Sequence, residues 1–456
     1  MRRPGLCREG YGGHMDWKEY LQKEKHCSCG KNHICDIEEI IIEEGGIKRL
    51  PEILGKHEYE KLCVVSDLHT EKAAGLIVYE ELEKAGYAFE KVVYQDEELV
   101  PDEDALIYLF TRVPNDCDLI IAVGSGTIND LCRYVSYKMK IDYYIVGTAP
   151  SMDGYASNVS PLIIRHLKTT YEARPARVII GDLDIISKAP LHMIAAGVGD
   201  ILGKYVCLTD WQLAHIVNGE YICPEVMELV RESIKKVAEN AGRAANRDKE
   251  AICAIMEGLV LSGIAMSYIG NSRPASGSEH HMSHYWEMMF LLARQPDPLH
   301  GTKVGTGTVM AIRLYEMLKE KREKLFPLTA PSFAYDLWKE KIKEAYGPAA
   351  PGVLELEKKT GKNSDKEVLR RRAAFQAHEE EIFSVIDQLP EAEDIIEILK
   401  SMEAPYYPEQ INVSENVFTR GIYYAKDLRD RFGLLQILFD LNLQEEFTNR
   451  LIREIY

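Results

Sequence analysis

Positive charge is scarce in this 456-residue chain: 55 Lys and Arg face 72 Asp and Glu, a formal net charge of −17. That balance argues against a nucleic-acid backbone or an anionic membrane surface as partner. A small anionic substrate in a locally basic pocket stays compatible with it. The N-terminus lacks an apolar signal core, and no apolar run reaches membrane length; the longest candidate, Gly258 to Gly270, reads as a buried helix with no membrane span. The ten cysteines are scattered and form no disulfide framework, so a cytoplasmic location is expected. No repeat of about 20–50 residues is evident, and no segment is of low complexity.

What is present is an ordinary globular composition, 46% hydrophobic and 28% charged, on a chain too long for one typical domain. Residues 1–14 read as disordered, and Asp16 to Lys25 as a short amphipathic helix. Then comes Cys27-Ser-Cys-Gly-Lys-Asn-His33-Ile-Cys35. Its C-x-C spacing with a nearby His can bind zinc, but no second C-x-x-C pair follows, and a tight turn with ordinary thiols is the plainer reading. From about Ile40 to Leu183, β-branched runs alternate with helical patterns. The runs are Leu62–Ser66, Glu90–Tyr94, Asp118–Val123, Asp142–Val146 and Arg177–Ile180; the helical spacings are Glu71–Ala85, Asp102–Thr111 and Asn129–Lys140. This alternation predicts βαβ units and a parallel sheet, with ligands at the strand carboxyl ends. Beyond about Pro190 strand-like runs nearly vanish. Pro224–Ala241, Lys249–Ser267 and Met282–Ala293 read as helices, and residues 315–400 as charge-rich helices broken at Pro327, Pro331, Gly347-Pro348 and Pro351. The expected organisation is an N-terminal extension (1–34), an α/β Rossmann-like domain (35–190) and an all-α domain (191–456).

The third clear strand runs into Gly124-Ser125-Gly126-Thr127-Ile128-Asn129-Asp130. Glycines at a strand-to-helix turn let the backbone approach a pyrophosphate, and the helix N-terminus offers free N–H groups. The pattern is not G-x-G-x-x-G, and a plain βα turn needs small residues too. Asp67 follows an earlier strand, where a carboxylate can bind a ribose diol; alternatively it is a turn carboxylate ahead of an N-cap at Thr70. The next strand ends in Thr148-Ala149-Pro150-Ser151-Met-Asp153-Gly-Tyr-Ala-Ser157, a hydroxyl-rich loop facing the same crevice. Its hydroxyls can bind phosphate or a nicotinamide amide. Asp153 can bind substrate hydroxyls or close an Asx-turn.

The stretch Arg273-Pro-Ala-Ser-Gly-Ser-Glu-His280-His281-Met-Ser-His284 carries three histidines. His280 and His284 lie four apart, on one face of a helix, which His281 cannot share with both. His300 follows in Leu-His-Gly-Thr-Lys, and Asp200 sits upstream in Ala-Gly-Val-Gly-Asp-Ile-Leu-Gly-Lys204. Asp200, His280 and His300 each sit among glycines, where helices can pack closely. Two imidazoles and one carboxylate suit a divalent transition metal with open positions. Lys204 can neutralise Asp200 or reach a substrate phosphate. Arg273 is a candidate phosphate clamp, and both cations can equally be ordinary ion pairs.

In order, these motifs resemble the sn-glycerol-1-phosphate dehydrogenases, and their bacterial branch in particular, within the superfamily of iron-type alcohol dehydrogenases, glycerol dehydrogenases and dehydroquinate synthases. The resemblance spans about residues 27–310; the usual Gly-Gly-Gly turn is Gly124-Ser125-Gly126 here, and the histidine after Glu279 is doubled. It implies a two-domain fold with the site in the cleft. It implies Asp200, His280 and His300 on one divalent metal (zinc, nickel or ferrous iron), with Asp153, Asp200 and His284 against the substrate. Gly124 to Asp130, Thr148 to Ser151 and Ser157 would bind NAD(H) or NADP(H), with Asp67 near the adenosine ribose favouring NAD. The implied reaction interconverts dihydroxyacetone phosphate and sn-glycerol 1-phosphate, in a homodimer. A polyol dehydrogenase acting on an unphosphorylated substrate and a non-catalytic nucleotide- and metal-binding regulator are the alternatives.

Overall fold

The computed structural model describes residues 15–21, 25–164, 167–326 and 329–456. Residues 1–14, expected to be disordered, and Pro327, expected to break a helix, lie outside them. Where an amphipathic helix was expected over 16–25, the described residues hold one 3-10 turn at Trp17–Glu19, and Lys25 already starts a strand.

Ten strands are described: β1 (Lys25–His26), β2 (Asn32–His33), β3 (Glu39–Glu43), β4 (Leu62–Asp67), β5 (Phe89–Tyr94), β6 (Leu119–Gly124), β7 (Asp142–Gly147), β8 (Val159–Ile164), β9 (Leu167–Glu172) and β10 (Val178–Asp182). Six of them form a parallel sheet in the order β3-β10-β7-β6-β4-β5. β1–β2 and β8–β9 are separate antiparallel hairpins. Strand pattern explains the parallel sheet. β6 is buried along its whole length, as expected where both faces are covered. Alternate residues serve two cores. Ile41, Val64, Ile121, Val146 and Ile180 face Ile47, Leu50, Ile53, Val78 and Leu82. Ile40, Ile42, Cys63, Val65, Ile120 and Ile145 join a larger core that continues into the helical part. Each such aliphatic side chain contributes about 1.5–3 kcal/mol by leaving water. One core spans both parts.

The strand order has a functional consequence. β4 leads on toward β5 and β6 leads away toward β7, although β4 and β6 are neighbours. That is a topological switch point, and a crevice opens there at the carboxyl ends. The register brings Gly124, Gly147 and Gly181 level across three strands.

Beyond Asp182 every described element is helical. Two stretches, Leu191–Asn218 and Lys249–Ile269, are long and apolar enough to cross a membrane, which corrects the expectation that no run reaches that length. In the structure 78% and 83% of their apolar windows are buried, so they serve as core helices. Nine described cysteines are free.

Candidate active site

Four helices build the polar centre. Asp200 lies near the end of the helix Leu191–Leu202, followed by Lys204 at the start of Lys204–Asn218; His280 and His284 ride on Ser278–Ala293; His300 opens His300–Glu320. Glycine permits the contact. A Cβ on Gly301 would lie 1.9 Å from the Ala196 carbonyl oxygen, and one on Gly199 2.5 Å from that of Gly301. The two helices therefore touch backbone to backbone, which brings Asp200 up to His300. The third helix is anchored at its start, where the Ser278 N–H and hydroxyl both donate to Asp210 Oδ2 at 2.7 Å.

The three imidazoles form a triangle, with ring centroids 5.2 Å apart for His280–His300, 5.6 Å for His284–His300 and 6.0 Å for His280–His284. Ligand atoms of Asp200, His280 and His300 lie within 4.8 Å of one another. His280 Nε2 stands 3.5 Å from Asp200 Oδ1. His280 Nδ1 is 2.6 Å from Glu279 Oε1, which also accepts from Gly277 N–H. That carboxylate fixes the tautomer and turns Nε2 toward Asp200, a common outer support of metal-binding histidines. His300 Nδ1 is buried with no hydrogen-bond partner. An unpaired buried nitrogen beside a carboxylate and a second imidazole fits a divalent cation.

A second set, His284, Glu287 and His300, is equally compact. There Glu287 Oε1 is already taken by Lys168 at 2.6 Å, with Lys303 at 3.5 Å. Glu287 thus faces two ammoniums, whereas Asp200 faces one, Lys204, which it shares with Asp153, so the Asp200 set is the better cation site. His284 Nδ1 lies 3.5 Å from Glu287 Oε2.

Asp200 is wholly buried, and Lys204 lies between it and Asp153, at 2.8 and 2.9 Å. Asp200 Oδ2 accepts from Asp153 N–H at 3.0 Å, and Asp153 Oδ2 accepts from Ser262 at 2.8 Å. Burial pushes the Asp200 carboxyl up, but Lys204 and His280 overcome it and hold the group well below the usual carboxylate range. Burial holds His300 well below the ordinary imidazole value and takes His284 down to about 4, so both rings are neutral. His281, buried on another face, is likewise held low, first by burial and then by Arg431 and Lys362.

On the sheet side, the turn Gly124-Ser125-Gly126 opens the helix Gly126–Met139, whose N-terminus has no side-chain cap. Its free N–H groups point into the crevice. A Cβ on Gly124 would strike Ile128 at 2.6 Å, whereas Gly126 has room, with Met152 at 3.7 Å. Thr127 is half-buried at this helix start. The Asn129 and Asp130 side chains turn inward. Asn129 donates to the Gly154 carbonyl, and Asp130 pairs with buried Arg133 at 2.7 Å. Thr148 N–H donates to the Gly124 carbonyl at 3.1 Å, which ties the second loop to the first.

Ala149 and Pro150 are fixed by backbone contacts: the Ala149 carbonyl accepts from Tyr155 at 2.5 Å, and the Pro150 carbonyl packs on Gly197. Ser151 is buried beside them, and the Ser157 hydroxyl closes a local turn with Val159 at 3.2 Å. Asp67 is itself the N-cap: its Oδ1 accepts from His69 and Thr70 N–H, which moves the cap from the expected Thr70. Its Oδ2 takes no part in the cap.

For Arg273 the structure shows an ion pair: its guanidinium binds Glu220 at 2.9 Å and the carbonyls of Asp210 and Phe432, while its buried Nη1 has no hydrogen-bond partner. Lys168, Glu287, Lys303 and Glu279 are the polar groups that sequence reasoning missed. Glu287 is three positions after His284 and Lys303 three after His300, a helical spacing that could have found both. Lys168 stands on β9 and carried no such signal.

Known proteins resemble this chain in sequence and in fold. Residues 41–190 match the family model described as iron-containing alcohol dehydrogenase. The chain is 33% identical over 429 residues to a glycerol-1-phosphate dehydrogenase (NAD(P)+) of Geobacillus stearothermophilus, covering 93% of this chain and 98% of the relative. It is 35% identical over 295 residues to one of Pyrococcus horikoshii, covering 62% and 84%. The iron-containing alcohol dehydrogenase of Thermococcus thioreducens shares the fold at a TM-score of 0.60 and 16% identity, over 91% of this chain and 99% of that one.

Proposed function

The chain belongs to the glycerol-1-phosphate dehydrogenase family, and from that premise we propose how its residues interconvert dihydroxyacetone phosphate and sn-glycerol 1-phosphate with NAD(P)(H). The enzyme is an oxidoreductase acting on a CH–OH group, and a metal ion and NAD(P) are its cofactors. The single observation that carries the assignment of roles is the Asp200, His280 and His300 cluster, with His284 beside it, joined through Asp153 to the loop after β7.

Asp200, His280 and His300 hold one divalent ion, and two imidazoles with one carboxylate suit zinc, nickel or ferrous iron. The metal supplies Lewis acidity toward the substrate oxygen, and the nicotinamide supplies or accepts the hydride. Glu279 keeps His280 oriented. Lys204 balances Asp200 and Asp153, leaving Asp153 Oδ1 free of the ammonium to meet a substrate hydroxyl. His284 Nδ1 faces Glu287, so Nε2 is the nitrogen that exchanges the hydroxyl proton with substrate. The ring is neutral, so its lone pair is open and the proton is held there only in passing, on its way between substrate and water.

The cofactor pyrophosphate lies over Gly124, Ser125, Gly126 and Thr127 at the uncapped helix N-terminus. Asn129 and Asp130 shape this turn from within. Thr148, Ala149, Pro150 and Ser151 form the adjoining wall, with Ser157 behind them. Asp67 Oδ2 accepts from the ribose, which favours NAD over NADP. A cytoplasmic homodimer completes the reading; the nine free cysteines support the reducing compartment.

The test is NADH oxidation with dihydroxyacetone phosphate and with dihydroxyacetone. A strong preference for the phosphate is expected. Preference for the unphosphorylated ketone would favour a polyol dehydrogenase, and no oxidation with either would favour a regulator.

A further inference from the structure

The Cys27–Cys29–His33 segment was one ligand short of a metal site in the sequence, and the fold supplies the fourth. Cys223, 196 positions after Cys27, is brought against the β1–β2 hairpin at the start of the helix Pro224–Ala245. We propose that Cys27, Cys29, His33 and Cys223 bind a structural zinc ion, separate from the catalytic centre, that fastens the N-terminal hairpin to the helical part of the molecule.

Geometry carries the proposal. Ligand atoms of all four residues lie within 4.8 Å of one another. The Cys27 and Cys223 sulfurs are 3.5 Å apart, and His33 Nε2 is 3.3 Å from Cys223 Sγ and 3.6 Å from Cys29 Sγ. Tetrahedral zinc, with bonds of about 2.3 Å to sulfur and about 2.0 Å to nitrogen, has edges of about 3.8 Å between sulfurs and about 3.5 Å between sulfur and nitrogen. The observed separations match those edges, and the sulfur pair is far too long for a disulfide. Cys35, the remaining cysteine of the segment, is not a member of the set.

The surroundings point the same way. His33 is buried, its Nδ1 is 2.9 Å from the Tyr268 carbonyl oxygen, and its ring stacks on that tyrosine at 5.2 Å. Nδ1 therefore carries the proton, and the Nε2 lone pair faces the three sulfurs. A backbone carbonyl in this role is a usual outer partner of a metal-binding histidine. Tyr221 donates its hydroxyl to Cys29 Sγ at 3.0 Å, and Cys29 N–H donates to Cys27 Sγ at 3.5 Å. Donors aimed at sulfur favour thiolates. Three sulfurs gathered around one imidazole lone pair can share a cation, and binding it releases the thiol protons.

Three thiolates and an imidazole select zinc over a hard cation, and four protein ligands leave no open position for substrate. The role is mechanical. The neighbouring N-terminal residues already touch the helix Lys249–Ile269, which also carries the His33 partner Tyr268: Tyr268 donates to the Tyr20 carbonyl at 2.7 Å and Met15 N–H donates to Glu257 at 3.1 Å.

The test uses the purified full chain, stripped with chelator and reloaded with Zn(II) or Co(II) alone. Wild type should take up two equivalents, and its Co(II) form should show thiolate-to-metal charge-transfer bands. Cys27→Ser/Cys29→Ser should take up one equivalent and lose those bands while keeping turnover. His300→Ala should lose the other equivalent and keep them. Zinc should also shield three thiols of the wild-type protein from alkylation, a readout that stands even if a variant misfolds. A Co(II) wild-type protein without thiolate charge transfer, or thiols alkylated equally fast with and without zinc, would overturn the proposal.

Discussion

Lys204→Met separates the two charges that compete for Asp200. The Lys204 ammonium, with its side chain fully buried, lies 2.8 Å from Asp200 Oδ1 and 2.9 Å from Asp153 Oδ2. Methionine fills the same volume without charge, and two buried carboxylates then lose their cation. Breaking one buried pair costs about 3–5 kcal/mol. Asp200 keeps the Asp153 N–H and Asp153 keeps Ser262, so the lower part of that range applies. With a dication on Asp200 the deficit is filled, and the remaining cost approaches the roughly 1 kcal/mol of a well-packed isosteric swap. The difference, about 2–3 kcal/mol, must appear as tighter metal binding by linkage, about 30- to 150-fold. Metal affinity by chelator competition, with thermal melts of stripped and loaded protein, measures both quantities. If Lys204→Met binds metal no more tightly than wild type, or if both forms lose the same stability, the ammonium and the metal do not share Asp200.

His284→Ala should retain metal and lose about 10²-fold or more in kcat, the scale of a missing acid–base group; His281→Ala should retain metal and lose less than roughly tenfold, and metal loss in His281→Ala with retention in His280→Ala would refute this division. Gly301→Ala would put a methyl group 1.9 Å from the Ala196 oxygen, so it should cost at least about 1–3 kcal/mol and weaken metal binding, as melts and metal analysis would show; an unchanged melt would mean the helix crossing is looser than described. Arg177 pairs with Glu38 and Asp142; burial raises both carboxyls, but Arg177 on Glu38, and Tyr59 together with Arg177 on Asp142, outweigh it and hold them low. Groups depressed on folding add stability above their ordinary pKa of about 4 and lose it as pH falls through the folded value, so the Tm gap between wild type and Arg177→Met should shrink on acidification, and a gap constant from about pH 7 to about pH 3 would contradict this.

Much of the sheet was legible because its strands are buried on both faces and read as apolar runs; β6 is the clearest case. β3 was missed as a strand because it lies at the sheet edge, between glutamates at Glu39 and Glu43. The β8–β9 hairpin was missed because it interleaves Pro161, Lys168 and Thr169 with its apolar residues and belongs to no βαβ unit. At the site, helical spacing separates His281 from the face of His280 and His284, and glycines marked where helices touch. The ion-pair alternative for Arg273 had no named partner, because Glu220 lies 53 positions away in sequence. Cys223 was invisible as a partner of Cys27 for the same reason, since only the fold joins segments so distant in sequence.

The central claim is metal-dependent reduction of dihydroxyacetone phosphate to one enantiomer of glycerol phosphate. The direct measurement follows NADH oxidation with that substrate in chelator-stripped protein, before and after adding nickel or zinc, and then assays the chirality of the product. The account predicts no turnover without metal, recovery on its addition, and a product that is sn-glycerol 1-phosphate. Full turnover in the stripped protein, or sn-glycerol 3-phosphate as the product, would contradict it.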